Sequence, residues 1–562
     1  MIKFADFPYE RPDLEDLSER LRLHTKKLRA CTRPGEAFHE LIETDFLEKQ
    51  FMSYATISEA GATNNSYDAF YAKEERFFNA AKPRFELLIQ ERNKALGGLP
   101  FKNELRALLG DEFFDAARLR ARTVSEDALE LMEKENALST EYSEIMSRLC
   151  VTENGERLTM PMLSRLMDSP EHEVRKKYAR LSEQAMLSAA DRLDSLYDEL
   201  VSLRTAIAHK TGFDTYTDYC LARRARTSYG RAELAAFSGA VARDIVPVAE
   251  DLTKEQEKRL GHAVMNYDEG TVFPGREARV TGEPLPAFRR IFGALSPETK
   301  VFFDELCERE FFDLALREGK TNGAYSNLMP LCSMPYIFET YNGTSGAVKT
   351  FAHECGHGLN SYLHRGEAVM GACDCTSDIA ETHSMSMEFF VWRFIDEIIR
   401  PEDVPVYQYC HLKGALSFIP YGTAIDRFQT EVYDRPDMTP GERLELWRSL
   451  EKRYMPWRKY EEGLFYDQGR MWQRQIHVMK WPFYYIDYVL AQTCALQFFM
   501  LDRRDHQMAW NAYLRFIKDS GRYSFSEIIA RAELRTPFDE GLTKDIAETA
   551  RTCLQGLLPH GE

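Results

Sequence analysis

Apolar residues recur at helical spacing along most of this 562-residue chain. Between Leu14 and about Arg148 the pattern is that of successive amphipathic helices. One example runs from Tyr67 to Ala95, where Phe78, Phe85 and Leu88 recur among lysine and glutamate residues. The chain contains 31 glycines and 23 prolines, too few to interrupt this pattern often. The sequence therefore predicts a mainly α fold.

Two β-prone segments interrupt the helical pattern. From Leu149 to Pro161, short β-prone runs flank Asn154-Gly155, which predicts a hairpin turn. We expect the chain to divide there into an N-terminal helical lobe, residues 1–160, and a larger region, residues 161–562. From Gly323 to Gly346, aromatic and β-branched residues lie between glycine and proline, which predicts one or two short strands leading directly into a helix.

The charge balance and the hydropathy pattern exclude two classes of partner. The chain has 72 lysine and arginine residues against 89 aspartate and glutamate residues, a net charge of −17, whereas nucleic-acid binding needs a basic surface. The most apolar long stretch, Trp481 to Leu501, contains Asp487, Gln492 and Gln497, whereas a membrane span needs about 20 residues with essentially no charge. We therefore expect neither nucleic acid nor membrane as a partner.

Cysteine usage and the N-terminal residues indicate a cytoplasmic protein. The chain has 11 cysteines, an odd number without the spacing of a disulfide framework, so we expect reduced thiols. Asp6, Glu10 and Asp13 stand where a signal peptide would have a basic segment and an apolar run.

The segment TSGAVKTFAHECGHGLNSYLHR has an apolar stripe at helical spacing and begins with Thr344 or Ser345 as an N-cap. His353 and His357 lie four residues apart, so at about 3.6 residues per turn both imidazoles project from one face. There they can occupy two corners of a zinc tetrahedron. Glu354 lies one step round the helix, where its carboxylate can reach a water on the metal without being a ligand.

Two further features of this segment narrow the type of site. Gly356 and Gly358 lie inside the helix, where each costs about 1 kcal/mol relative to alanine, which predicts that something approaches the helix backbone closely. A metzincin would place glycine and histidine three and six residues after the second histidine. Those positions are Asn360 and Leu363, which excludes that class.

A third metal ligand is expected from the segment TSDIAETHSMSMEFFVWRFIDEI, which has helical spacing and Ser377 as a cap. Glu381 and Glu388 share one face, and Glu381, 24 residues after His357, is the better ligand. Two histidines and one glutamate leave the fourth coordination position of a zinc ion open for water, which is typical of a catalytic zinc site. Hydrogen bonds to these ligands are expected from Glu388, Asp378 and Ser384. His383 points away from the Glu381 face.

A cluster of donor side chains follows near the C-terminus, in RQIHVMKWPFYYIDYVLAQ. It contains His477, Tyr484, Tyr485 and Tyr488, and Pro482 is expected to start a new helix. A phenol with a pKa of about 10 is protonated at neutral pH and can donate to an oxyanion. The sequence alone does not connect this cluster with the zinc site.

Together these motifs resemble the oligoendopeptidase F branch of the thimet-oligopeptidase family of zinc metallopeptidases. The segments PYIFETYNGTSG, HECGH, ETHSMSME and H-x₄-PFYYIDYVLAQ occur in the family's order, between about residues 320 and 495. The resemblance implies a zincin-like, neurolysin-like fold of two largely helical lobes around a deep channel, with a small β element beside the HExxH helix. It implies short unstructured peptides as substrates, and it makes residues 161–562 the zinc peptidase catalytic region.

The resemblance also implies roles for single residues. His353, His357 and Glu381 would bind one Zn²⁺ per chain, and Glu354 would be the general base. Catalysis and stabilisation of the tetrahedral intermediate would fall to His477, Tyr485 and Tyr488, and substrate binding to Asn342, Gly343, Thr344 and Tyr484. Which of the three tyrosines contacts the oxyanion stays open at this point.

We therefore expect a zinc-dependent endopeptidase that hydrolyses internal bonds of short oligopeptides. Two alternatives remain open on the sequence. One is a zinc carboxypeptidase of the thermostable carboxypeptidase type, and the other is a non-catalytic zinc-containing protein that binds peptides. The sequence does not indicate the oligomeric state or the cleavage specificity.

Overall fold

Helices carry most of the fold in the computed structural model, which describes residues 2–558. The mainly α prediction is confirmed. The first helices are α1 Leu14–Ala30, α2 Pro34–Asn64, α3 Ala69–Gly97, α4 Lys102–Leu109, α5 Asp111–Arg120, α6 Glu126–Arg148, α7 Met160–Met167, α8 His172–Leu187, α9 Ala190–Lys210, α10 Tyr216–Arg223, α11 Arg231–Ala240 and α12 Val246–Leu260. The remaining helices are α13 Pro284–Leu295, α14 Pro297–Glu308, α15 Ser345–Leu363, α16 Ser377–Phe390, α17 Val404–Asp434, α18 Pro440–Tyr454, α19 Ile476–Lys480, α20 Tyr485–Asp502, α21 His506–Lys518, α22 Phe525–Arg531 and α23 Leu542–Gly556.

The described residues form two small sheets. Strands β1, Cys150–Glu153, and β2, Glu156–Thr159, pair antiparallel across a two-residue turn, so the predicted hairpin is confirmed. Asn154 and Gly155 both have positive φ, at 52° and 82°, as a type I′ turn requires. The division of the chain into lobes at residue 160 stays a prediction.

The second sheet lies directly before helix α15. Its strands are β3, Phe312–Asp313, β4, Ala324–Met329, and β5, Met334–Glu339, in the order β3-β5-β4. Strand β4 pairs antiparallel with β5, and β3 pairs parallel with it. The two longer strands are those predicted between Gly323 and Gly346. The sequence pattern missed β3 because two residues show no alternation.

Helices α15, α16 and α20 pack together in the largest hydrophobic core, and α16 is buried over nearly its whole length. The glycines of α15 permit this packing. A Cβ atom on Gly356 would lie 2.6 Å from the Cα atom of Ser384 in α16, and one on Gly358 would lie 2.9 Å from the ring of Phe302. The predicted close approach to the helix backbone is therefore present at both glycines.

Three predictions of helix starts can be compared with the structure. The Thr344 side chain accepts a hydrogen bond from the backbone N–H of Ala347, so the predicted cap of α15 is confirmed. Ser377 as the cap of α16 is wrong, because Thr376 occupies that position. The helix start at Pro482 is also wrong. Phe483 has a φ of 60°, which interrupts the helix, and α20 begins at Tyr485.

We expect Gly356→Ala to destabilise the protein, because its methyl group would meet backbone atoms that cannot move independently. Overpacking of this kind costs about 1–3 kcal/mol. Gly414→Ala in α17 is the matched control, since nothing lies within 4 Å of its Cβ position. In that exposed helix position alanine should stabilise by about 0.5–1 kcal/mol. Thermal unfolding of both variants checks this, and equal midpoints would contradict the proposed packing constraint.

Candidate active site

Helices α15 and α16 bring three possible metal ligands to one point. The imidazoles of His353 and His357 project from α15 with their ring centres 5.0 Å apart. The Oε2 atom of Glu381, from α16, lies 3.2 Å from Nε2 of His353 and 3.5 Å from Nε2 of His357. Tetrahedral zinc with bonds of about 2.0–2.1 Å places its ligand atoms about 3.4 Å apart. The donor types and their spacing therefore fit a zinc ion.

A chain of hydrogen bonds fixes the orientation of His353. Its Nδ1 atom lies 2.7 Å from Oε1 of Glu388, and Nε2 of His411 lies 2.9 Å from the other oxygen of that carboxylate. The indole N–H of Trp392 donates to Nδ1 of His411 at 2.9 Å. In this arrangement Nδ1–H of His353 donates to Glu388, so Nε2 is the atom that faces Glu381 and binds a metal once it has lost its proton.

The charges around His353 favour a positive charge at this point. Burial lowers its pKa, but hydrogen bonds to Glu381 and Glu388 outweigh burial and raise the pKa to about 10. Burial would raise the pKa of Glu381, but the imidazoles of His353 and His357 hold it well below its ordinary value. A divalent cation would supply the positive charge that these carboxylates favour.

The Glu354 carboxyl differs from that of Glu381 in its partners. Glu354 is buried in α15, and this burial raises its pKa. The imidazoles of His353 and His357 oppose the shift, and the charge of Glu381 reinforces it. A carboxyl with a raised pKa beside a metal site is suited to accept and return a proton.

Glu381 is also held by two side chains from outside the histidine helix. The hydroxyl of Ser384 donates to its Oε2 atom at 3.2 Å, and that of Tyr484 donates to Oε1 at 2.8 Å. The guanidinium of Arg224 lies 4.4 Å from the centre of the Tyr484 ring and donates to Asp487 at 2.7 Å. Tyr484, which the resemblance placed in substrate binding, thus contacts a candidate metal ligand directly.

His477 lies inside a group of aromatic rings, with ring centres between 5.1 and 5.7 Å from its own. These rings belong to Trp481, Tyr484, Tyr485 and Tyr488. Burial among them lowers the pKa of His477 to about 4, although the charge of Glu381 opposes the shift. The imidazole is therefore neutral at pH 7 and carries a single N–H donor.

The three tyrosines have different surroundings. The ring centre of Tyr488 lies 5.0 Å from that of Tyr484, whose hydroxyl donates to Glu381. Burial raises the pKa of Tyr488, and the charges of Glu381 and Glu354 raise it further. Tyr485 packs against Phe418 and Tyr421, with ring centres 5.5 and 5.6 Å away. Tyr484 thus contacts a candidate metal ligand, Tyr488 lies beside Tyr484, and Tyr485 packs against α17.

The segment Asn342–Thr344 is exposed and forms the turn that starts α15. Oδ1 of Asn342 accepts from the backbone N–H of Thr344 at 3.2 Å and from its hydroxyl at 2.7 Å. Gly343 has a φ of 75°, a conformation that favours glycine. These residues lie nine to eleven positions before His353, at the N-terminal end of the helix whose middle carries both histidines.

Two other residues considered in the sequence lie apart from the ligands. Asp378 accepts hydrogen bonds from Tyr229 at 2.6 Å and from Thr376. These partners differ from the metal ligand that the sequence led us to expect. Nε2 of His383 lies 2.9 Å from the hydroxyl of Ser520, on the side of α16 that faces α21. Glu388 and Ser384 contact ligands as expected.

The sequence reasoning missed His411, Arg224 and Gln475. His411 and Arg224 reach the site through Glu388 and Tyr484, from segments far away in the chain. Each is a single polar residue in a helical region without a motif around it. Gln475 precedes the histidine of a recognised motif by two positions, and this proximity is the one signal that could have singled it out.

Among the described residues, one other group of three side chains could offer atoms to a metal, formed by His172, His262 and Asp268. Asp268 is buried and accepts hydrogen bonds from Nη2 and Nε of Arg175 at 2.7 and 3.1 Å. This guanidinium already neutralises the carboxylate. We therefore assign no ion to this group.

Comparisons with known proteins identify the family. Residues 4–124 match the model of the peptidase M3 N-terminal domain, and residues 298–548 match that of peptidase family M3. A search of curated proteins found no match. No helix within residues 2–558 is long and apolar enough to cross a bilayer.

Solved structures agree with this match over nearly the whole chain. A structure of PZ peptidase A with an inhibitor has a TM-score of 0.94 at 34% identity, and a protein assigned as oligoendopeptidase F has 0.94 at 33%, each with 99% of both chains covered. A protein assigned as oligoendopeptidase F from Bacillus anthracis str. Ames has 0.89 at 31%, covering 99% of this chain and 98% of its own. The chain belongs to peptidase family M3 and is a metallopeptidase of the oligoendopeptidase F type.

Zinc binding should release a proton, because the raised pKa of His353, about 10, keeps its imidazole protonated at neutral pH in the metal-free protein. Metal coordination requires the deprotonated ring. We expect the Kd for zinc to fall about hundredfold between pH 7 and pH 9, because one proton is released for each ion that binds.

Calorimetry in buffers of different ionisation enthalpy measures this proton. Glu388→Gln is the informative comparison, since a neutral amide no longer raises the pKa of His353, so fewer protons should be released at pH 8. An exposed control, Glu402→Gln, should behave like the wild type. A zinc affinity independent of pH over this range would contradict the charge arrangement described above.

Proposed function

We propose that this chain is a zinc-dependent endopeptidase that hydrolyses internal bonds of short oligopeptides. The observation that carries the proposal is the approach of Glu381 to His353 and His357 at 3.2 and 3.5 Å, with the buried Glu354 carboxyl beside them. The membership in peptidase family M3 agrees with this reading.

His353, His357 and Glu381 would hold one Zn²⁺ per chain. When bound, the ion would supply Lewis acidity that lowers the pKa of a water from about 15.7 toward about 7. Glu354 accepts the proton of the attacking water, and its raised pKa makes its carboxylate a stronger base. Glu354 then donates this proton to the departing amine, so no covalent enzyme intermediate is needed.

Hydrogen-bond donors for the developing oxyanion come from the C-terminal cluster. The Tyr488 hydroxyl is protonated at neutral pH, since burial and the charges of Glu381 and Glu354 raise its pKa. His477 is neutral and offers one N–H. Donors fixed before the reaction stabilise the oxyanion without reorganisation of water. Tyr484 instead holds Glu381 in place through its 2.8 Å hydrogen bond.

We propose short unstructured peptides as the substrates, entering a channel between two helical lobes, with Asn342, Gly343 and Thr344 along it. The oligoendopeptidase F assignment of two similar structures favours internal cleavage.

We also propose a cytoplasmic location. All 11 cysteines are free thiols, and four of them are buried. Unpaired cysteines in this number are typical of a reducing compartment.

A decapeptide blocked at both ends tests the reaction most simply. We expect internal fragments by mass spectrometry, their loss with a chelator, and their return when zinc is added. Cleavage restricted to an unblocked C-terminus would move the assignment to a carboxypeptidase. Zinc bound at one ion per chain without any cleavage would favour a peptide-binding protein.

Glu354→Gln separates metal binding from catalysis. The amide cannot accept the proton of water, so we expect kcat to fall by about 10²–10⁴-fold. Zinc content should stay at the wild-type level, since Glu354 is not one of the three ligands. Activity close to the wild type in this variant would exclude Glu354 as the general base.

The tyrosines can be ranked by their surroundings. We expect Tyr488→Phe to lower kcat by about 10²–10³-fold, as removal of an oxyanion donor does. Tyr485→Phe should have a much smaller effect, because Tyr485 packs against Phe418 and Tyr421 rather than against the carboxyl groups. Steady-state kinetics on one quenched peptide compares the two, and a reversed order would show that the substrate is bound on the Tyr485 side.

A further inference from the structure

Gln475 links His477 to a tyrosine of another helix. Its side-chain nitrogen Nε2 lies 2.8 Å from Nδ1 of His477. The hydroxyl of Tyr421, in α17, donates to its side-chain oxygen Oε1 at 2.8 Å. Gln475 lies at the N-cap position of α19, so its backbone is fixed at the start of the helix that carries His477.

The hydrogen bond to Tyr421 decides which end of the Gln475 amide faces the histidine. The Tyr421 hydroxyl donates to Oε1, and an amide turned the other way would face this hydroxyl with its NH₂ group, which cannot accept the phenol proton. The phenol proton therefore goes to the amide oxygen of Gln475. This leaves the amide NH₂ group for His477, and an NH₂ group can only donate.

The protonation of His477 follows from this contact. Because Nδ1 accepts a hydrogen bond from Gln475, it carries no proton. A neutral imidazole has one N–H, and burial among the aromatic rings keeps this imidazole neutral at pH 7. The proton must then be on Nε2, on the side of the ring away from Gln475.

We propose that Gln475, held by Tyr421, is a positioning residue that fixes His477 as the Nε2–H tautomer and so makes it a hydrogen-bond donor to the substrate carbonyl. This role rests on the proposed peptidase function. The opposite tautomer would present a lone pair to the carbonyl oxygen, and two acceptors repel each other. Gln475 does not touch the substrate and acts only through His477.

The tautomer can be observed independently of activity. In protein labelled with ¹⁵N-histidine, the His477 signals are identified by their loss in His477→Asn. We expect an unprotonated Nδ1 and a protonated Nε2 in the zinc-loaded wild type. In Gln475→Met, which keeps the side-chain length but removes the amide, we expect signals of both tautomers. A protonated Nδ1 in the wild type would overturn the proposal.

Kinetics test whether Gln475 acts through His477. Substitution of groups that orient active-site residues typically lowers activity by about 10–100-fold. We expect Gln475→Met to lower kcat in this range with little change in KM, and Tyr421→Phe to change it in the same direction by a smaller factor. In a His477→Asn background, Gln475→Met should cause no further loss. An equal loss in both backgrounds would show a merely structural role and overturn the proposal.

The two proposals fail in different ways. If the wild type cleaves no peptide but Nε2 of His477 carries the proton, the peptidase function fails and the tautomer assignment stands. If peptides are cleaved but Nδ1 carries the proton, the function stands and the role of Gln475 is wrong. Zinc content and circular dichroism of Gln475→Met and Tyr421→Phe should match the wild type.

Discussion

The close contact between α15 and α16 at Gly356 determines the geometry of the site. A side chain at this position would lie 2.6 Å from the Cα atom of Ser384. Because the two backbones meet there, Glu381 reaches the imidazoles of His353 and His357, which project from α15 on either side of Gly356 in the chain. A separation larger by one methyl group would place its carboxylate beyond the distance that two zinc–ligand bonds can span. The chain therefore tolerates a glycine inside a helix, at a cost of about 1 kcal/mol in helix propensity.

Around this contact, two of the three candidate ligands, His353 and Glu381, have further hydrogen-bond partners. Glu388 accepts from His353, while Ser384 and Tyr484 donate to Glu381. His411 and Arg224 in turn hold those partners from other helices. Such outer hydrogen bonds fix tautomers and orientations before a metal or substrate binds. His477 follows the same rule on the substrate side, since Gln475 contacts one of its two nitrogens.

The helices and the candidate ligands could be predicted from the sequence because the relevant spacings lie within single helices. The spacing of His353 and His357 and the apolar stripe of α15 depend only on the helical repeat. The roles of Tyr484 and Tyr485 could not be separated, because the positive φ of Phe483 delays the start of α20 and changes which tyrosine faces Glu381. The roles of His411 and Gln475 could not be predicted because they depend on partners from other segments of the chain. These partners are Glu388 for His411 and Tyr421 for Gln475.

The proposed zinc site is tested most directly by anomalous X-ray diffraction from zinc-loaded crystals, measured at the zinc absorption edge. One anomalous peak should lie at about 2.0–2.2 Å from Nε2 of His353, Nε2 of His357 and a carboxylate oxygen of Glu381. The Glu354 carboxylate should face the open position without being a ligand. A peak at His172, His262 and Asp268 instead, or a fourth bond from Glu354 that closes the site, would contradict the central claim.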